Sequence, residues 1–142
     1  MIVTHSLPAD RTGFAVTKRL NPRSLAPPLA RYSHGAVVET GQRIVFTSGQ
    51  LAIGPDGTAP EGCAAQAELC FQAIGKILAE ADMSMADIVR INAFVTDRAH
   101  MADYMRVRDS QFPGEPPAST LVIVSGFTRP EFLVEIEAIA AK

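Results

Sequence analysis

Two apolar runs late in the sequence, residues 117–125 and 133–140, set the terms for any fold this chain can adopt. Both alternate at period two, the pattern of strands rather than helices. In the second run Val134, Ile136, Ala138 and Ala140 form one face, and Leu133, Glu135, Glu137 and Ile139 form the other. Carboxylates two residues apart on an otherwise apolar strand are costly to bury, so they must be solvated, paired or used. The first run places Ser119, Leu121, Ile123 and Ser125 on one face and Thr120, Val122 and Val124 on the other. Neither face is polar throughout, which predicts a strand covered on both sides. The segment between the runs, residues 126–132, holds Gly126 and Pro130 and predicts a loop between antiparallel neighbours.

The rest of the chain supplies six more elements. Residues 14–20 predict a first strand. Residues 32–39 and 43–48 predict two strands that flank Thr40-Gly41-Gln42, a hairpin signal. Pro55-Asp56-Gly57 marks a turn. Cys63, Ala67, Cys70, Ile74, Ile77 and Ala81 recur at spacings of three and four, which predicts a helix over residues 61–81. Residues 87–96 read as a strand, and residues 101–111 as a second helix stopped by Phe112-Pro113-Gly114. The order βββαβαββ is most simply met by an α+β fold with one sheet and both helices on one of its faces. The other face then remains too apolar for water, which predicts a homo-oligomer in which sheets pack on one another.

Residues 1–142 fit a single domain, and 47% hydrophobic residues suffice for a core. The net charge of −2 with scattered Lys and Arg argues against a nucleic-acid partner. No apolar stretch reaches the roughly 20 residues of a membrane span, so no membrane partner is expected. Residues 1–10 lack the pattern of a signal peptide, so the expected location is cytoplasmic. Cys63 and Cys70 share the first helix about 10 Å apart along its axis, too far for a disulfide. They read as small buried hydrophobes. His5 and His100 fall on expected loops, and no spacing resembles a zinc site, a Ser-His-Asp triad or a phosphate-cradling loop.

Several short stretches carry a resemblance. Tyr32-Ser33-His34-Gly35-Ala36-Val37 resembles the G-P-Y-S-Q-A-V segment of the Rid family, the YjgF-like reactive-intermediate deaminases, and Thr47-Ser48-Gly49-Gln50 is the same as its T-S-G-Q. Ala65-Gln66-Ala67, Asp87-Ile88-Val89, Phe94-Val95-Thr96-Asp97, Pro117-Ala118 and Val134-Glu135-Ile136-Glu137-Ala138 follow in the family's order, so the resemblance spans about residues 28–140. It implies a chorismate-mutase-like α+β domain, a homotrimer with the sheets lining a barrel, and a small-molecule cleft at each subunit interface. It also implies hydrolysis of reactive enamines or imines to a keto compound and ammonia, without cofactor or metal.

Carried over by position, the resemblance makes Glu135 the carboxylate that positions the attacking water, and Tyr32 a wall of the cleft. Ser48, Gly49 and Thr120 join them, and His34 stands where many members have Gln. The Arg that binds a substrate carboxylate in the family is absent: Ser119 occupies its place. An Arg fork grips a carboxylate through two charge-assisted bonds that a hydroxyl cannot match. Its loss should weaken binding of an anionic substrate by about 2–5 kcal/mol. The specificity expected is therefore not the archetypal one. Arg90, Arg106 and Arg108, the last standing where many members carry Asn, are candidates for a replacement cation. A water aimed at a C=N carbon needs a carboxylate within reach as general base, and backbone N–H groups at residues 119–121 could orient the substrate. The alternatives are a metabolite-binding trimer that has lost the chemistry and, against the acidic balance, a ribonuclease.

Overall fold

The computed structural model describes residues 18–142. The strand expected over residues 14–20 therefore lies mostly outside the described residues, as does His5. Its end is β1 (Arg19–Leu20), paired antiparallel with β2 (Gly35–Ala36) in a small two-stranded sheet. There follow β3 (Ile44–Phe46), β4 (Gln50–Leu51), α1 (Cys63–Ala79), β5 (Ile88–Val95), α2 (Met101–Gln111), β6 (Ala118–Ile123) and β7 (Val134–Ala141).

The main sheet has five strands, in the order β3-β7-β5-β6, with β4 also on β7. Strand β7 runs antiparallel to β3, β4 and β5, while β5 and β6 are parallel and joined through α2. A parallel pair needs such a crossover, which is why the second helix falls between them. The result is the expected α+β architecture, two helices on a mixed sheet. Val134, Ile136, Ala138 and Ala140 are buried in one core with Ile91, Ala93 and Val95 of β5, Cys70, Phe71, Ile74 and Leu78 of α1, and Tyr104 and Val107 of α2. The helices thus cover the all-apolar face of β7 and leave the face of the two carboxylates open. Cys63 and Cys70 are buried and unbridged. Burial pushes their thiols up to about 11 and about 12, which keeps them protonated and inert. Among the described residues, no helix is long and apolar enough to cross a membrane.

Four expectations need correction. The segment around Thr40-Gly41-Gln42 does turn, with Gly41 at φ 93° and Gln42 N–H donating to Glu39 O, but its flanks do not pair as a hairpin. β2 joins β1, whereas β3 joins β7. Residues 126–132 do not join neighbours either: β5 lies between β6 and β7, so the loop passes over the end of that strand. The buried stripe of α1 is centred on Gln66, Cys70, Phe71, Ile74 and Leu78, rotated away from Ile77 and Ala81, which are only half-buried. The fourth, a β6 covered on both sides, is met on one side only within a single chain. Leu121 and Ile123 share the register rows of Ala93 and Val95 on the helix side, while Thr120 and Val122 stand exposed on the open face.

Buried Gln66 ties these layers together. Its Nε2 donates to Pro60 O at 3.0 Å and Glu131 O at 2.8 Å, and its Oε1 accepts from Leu133 N–H at 2.8 Å. One side chain thereby holds α1 to the crossing loop and to the start of β7.

Candidate functional site

The T-S-G-Q stretch forms an irregularity in the sheet with a clear purpose. Phe46 pairs with Ile139 and Gln50 with Ile136, so three residues, Thr47 to Gly49, face only two on β7. This is a bulge of one extra residue. Thr47 closes the gap: its N–H donates to Ala138 O, and its Oγ1 accepts from Ala138 N–H, both at 2.9 Å. Ser48 is exposed, and its carbonyl accepts from Gln50 Nε2 at 3.1 Å.

Gly49 lies directly under Glu135. A Cβ built on it would stand 2.7 Å from Glu135 Cδ and 3.0 Å from Cγ, well inside contact distance. A side chain at this position would displace the Glu135 carboxylate, whose end occupies the space. The two carboxylates of β7 then separate in role. Glu137 accepts from Asn92 Nδ2 of β5 at 2.9 Å, a cross-strand pair. Glu135, half-buried, takes no side-chain hydrogen bond and no ion pair from the described residues. It is thus the carboxylate of this face with acceptor capacity to spare. Its row continues across the sheet to Leu51 on one side and to Phe94 and Val122 on the other, so its surroundings are apolar.

The other expected site residues lie elsewhere in the chain. Tyr32 and His34 flank Ser33, which is stitched to the start of β6 by its N–H to Pro117 O at 3.0 Å and its Oγ to Pro116 O at 2.6 Å. The Tyr32 and His34 rings meet edge to face at 6.0 Å. The His34 Nε2 donates to Ala26 O at 3.0 Å, so the ring is held locally. This corner adjoins Ala118, whose row runs through Arg90 to Ile139. Along β7 that row is four residues from Glu135, about 13 Å.

Ser119 points the other way. It shares a row with buried Ile91, and its Oγ is itself buried under α2 beside the Tyr104 hydroxyl. The two oxygens are close enough for Ser119 to ease the ionisation of the phenol, yet neither finds a partner in good hydrogen-bond geometry. Desolvation dominates, and the Tyr104 hydroxyl is pushed up to about 12. Arg108 lies 5.8 Å above the Tyr104 ring, with Nε and Nη2 both on Asp109 Oδ1 at 2.9 and 2.7 Å. Arg106 pairs with Asp103 on the exposed side of α2. Arg90 reaches Thr120 Oγ1 at 3.0 Å on the open face. Within one chain, then, Glu135 sits against Gly49, Tyr32 against His34, and Ser119 against Tyr104, with Arg108 over the Tyr104 ring. The sequence reading missed Tyr104; the signal was a lone aromatic in a short helix of mostly polar residues. Among the described residues no three His, Cys, Asp or Glu side chains gather as a metal-ligand group.

Comparison with known proteins places these features in company. A family model described as endoribonuclease L-PSP matches residues 23–142. Protein HMF1 of Saccharomyces cerevisiae is 33% identical over 114 residues, 80% of this chain and 85% of that protein. The mitochondrial protein MMF1 of the same yeast is 29% identical over 124 residues, 87% of this chain and 83% of its own. In three dimensions, YyfB of Yersinia pestis, a protein of unknown function in the conserved Rid family, matches with a TM-score of 0.79 at 26% identity, over 89% of this chain and 99% of that one.

Proposed function

The chain belongs to the endoribonuclease L-PSP family, which includes the Rid and YjgF proteins, and on that premise we propose that it is a Rid-type hydrolase of a small enamine or imine. The observation that carries this reading is the unpartnered Glu135 carboxylate, seated over Gly49 at the bulge between β3 and β4. A carboxylate so placed can accept a proton from water as that water attacks a C=N carbon. The resulting carbinolamine then releases ammonia and leaves a carbonyl, so one water is consumed and no redox partner is needed.

The cleft itself is proposed to form between copies. Ile44, Phe46 and Val122 are 44%, 70% and 43% exposed on the open face, an apolar surface larger than a lone chain comfortably shows to water. Packing of three copies through it would bring the Tyr32 corner or the β6 edge of one subunit toward Glu135 of the next, which the separation within one chain requires of any shared site. Ser48, Gly49 and Thr120 are assigned to the same substrate cleft. Because Ser119 is turned under α2, a substrate whose binding depends on a carboxylate fork there is not expected to be the preferred one. The same observation supports the second reading, a metabolite-binding protein without turnover.

The test compares wild type with Glu135→Gln on enzymatically generated imines, with release of ammonia and carbonyl product measured. Turnover should fall by about 10²-fold or more while thermal stability is kept. Equal turnover by the two proteins would remove Glu135 from the chemistry. Saturable binding without turnover by wild type would favour the binding protein, and cleavage of RNA would favour the nuclease.

A further inference from the structure

The residues around Tyr32 divide their work unevenly. Arg31 reaches over the end of α2, with Nη1 donating to Asp109 O at 3.0 Å and Nη2 to Gly114 O at 2.6 Å. A guanidinium at a helix C-terminus also answers the partial negative charge there. Ser33 is 1% exposed, and its hydroxyl and N–H donate to Pro116 O and Pro117 O. The four bonds land on one segment, residues 109–117, from the two neighbours of a single residue. Pro113, Pro116 and Pro117 stiffen that segment, so its carbonyls are fixed acceptors. Tyr32 itself holds nothing. Its N–H closes a turn on Ala30 O at 3.0 Å, but its hydroxyl has no hydrogen-bond partner among the described residues. His34, which its ring meets edge to face, is held in turn by Asn21 Oδ1 at the N–H and by Ala26 O at Nε2. Strand pairing does not do this work: among the described residues, 31–34 join the main sheet through the isolated bridge of Ser33 to Ala118.

We propose that Arg31 and Ser33 are positioning residues, a two-sided clamp that seats Tyr32 on residues 109–117. The inference rests on the reading of Tyr32 as a wall of the substrate cleft and adds to it what fixes that wall. A side chain serves a site only when held in one place, and a displacement of about 1 Å can cost about 10²-fold in rate. Ser33 supplies the buried half of the clamp: without its hydroxyl, the half-buried Pro116 carbonyl loses this donor. Arg31 supplies the exposed half, and its fork spans the last turn of α2 and the loop after it. A shift of that turn moves Asp109 O, and with it Arg31 and the residue beside it. The loop between α2 and β6 thereby joins the site through its carbonyls.

Ser33→Ala and Arg31→Ala each open one side of the clamp. In hydrogen exchange on the full protein, the Tyr32 and Ser33 amides should exchange about 10-fold faster in each variant, while the amides of β5 and β7 stay as in wild type. The order parameter of the Tyr32 amide should drop from about 0.85 to about 0.6. Turnover of enzymatically generated imines should fall about 10-fold in each variant, and should fall no further when the same change is made in Tyr32→Ala. That last comparison separates the clamp from a general structural role, which would add its own loss to that of Tyr32→Ala. The proposal is overturned by unchanged exchange at residues 32 and 33 in either variant, by faster exchange spread over β5 and β7 in both, or by a further loss of turnover in the Tyr32→Ala background. A wild type without imine turnover sinks the hydrolase reading alone, and the exchange result then upholds or overturns the clamp.

Discussion

Gly49→Ala is the sharpest probe of the Glu135 seat, because the obstacle is one identified side chain. Gly49 is not among the residues of positive φ, so alanine meets no backbone penalty there. Its methyl group would lie 2.7 Å from Glu135 Cδ and 3.0 Å from Cγ, where ordinary contact begins near 3.4 Å. The carboxylate must withdraw or change rotamer, an overpacking that costs about 1–3 kcal/mol. Loss of glycine's freedom in the unfolded chain offsets about 0.4–1 kcal/mol of this. In a Glu135→Ala background the three nearest opposing atoms are gone, so the same Gly49→Ala should turn neutral or stabilising. The coupling across the double-mutant cycle should therefore be about 1–3 kcal/mol. Urea unfolding of the four proteins at a common m value reads it without knowledge of the substrate. Turnover of Gly49→Ala should fall about 10²-fold, the usual effect of a group misplaced by roughly 1 Å. Additivity of the two substitutions within about 0.5 kcal/mol would refute the close approach on which the argument stands.

Other expectations follow from the same geometry. Gln66→Ala should destabilise the protein by about 2–4 kcal/mol in urea unfolding, because it strips partners from Pro60, Glu131 and Leu133 at once. Ser119→Arg should lower the melting temperature and should not install a carboxylate fork at the Glu135 site, since the side chain enters a buried space beside Tyr104 and near Arg108; ammonia release raised by this change would refute that placement. Burial raises Cys63, Cys70 and Tyr104 above their unfolded values, so the unfolded chain gives up those protons first. Stability from this source is complete below about pH 9 and is lost as pH rises toward about 12, so the thermal midpoint should fall steadily across alkaline buffers. Light scattering at micromolar concentration should give about three times the monomer mass, and a stable monomer would remove the interfacial cleft.

The elements legible in the sequence were those that carry their own boundaries. The second helix spans Met101–Gln111, ending at the Phe112-Pro113-Gly114 stop as expected, and β5 and β7 fall within a residue or two of their alternating runs. Partner choice was not legible. Alternation tells which residues share a face, but not which strand lies alongside, so β2 and β3 read as a hairpin although their partners are β1 and β7. Two-residue strands such as β4 are too short to show any period. For the candidate site, Glu135 stood out as a carboxylate on an apolar strand, and the structure explains Gly49 beside it. The direction of Ser119 depends on the β5–β6 register, which no local pattern encodes.

Strand β7 holds β3, β4 and β5, and it follows all three in chain order. That placement makes the sheet's assembly wait on translation. While residues before 134 emerge from the ribosome, β5, α2 and β6 can already form their crossover unit, with partners close in sequence. The three-residue β3 and two-residue β4 have no main-sheet neighbour until β7 exists, and strands that short do not persist alone. The edge of β5 that β7 will cover is meanwhile an open template for another nascent chain. A stop codon ahead of these eight residues would thus remove the centre of the sheet rather than its margin, and would leave a chain more prone to associate with its own copies than to fold.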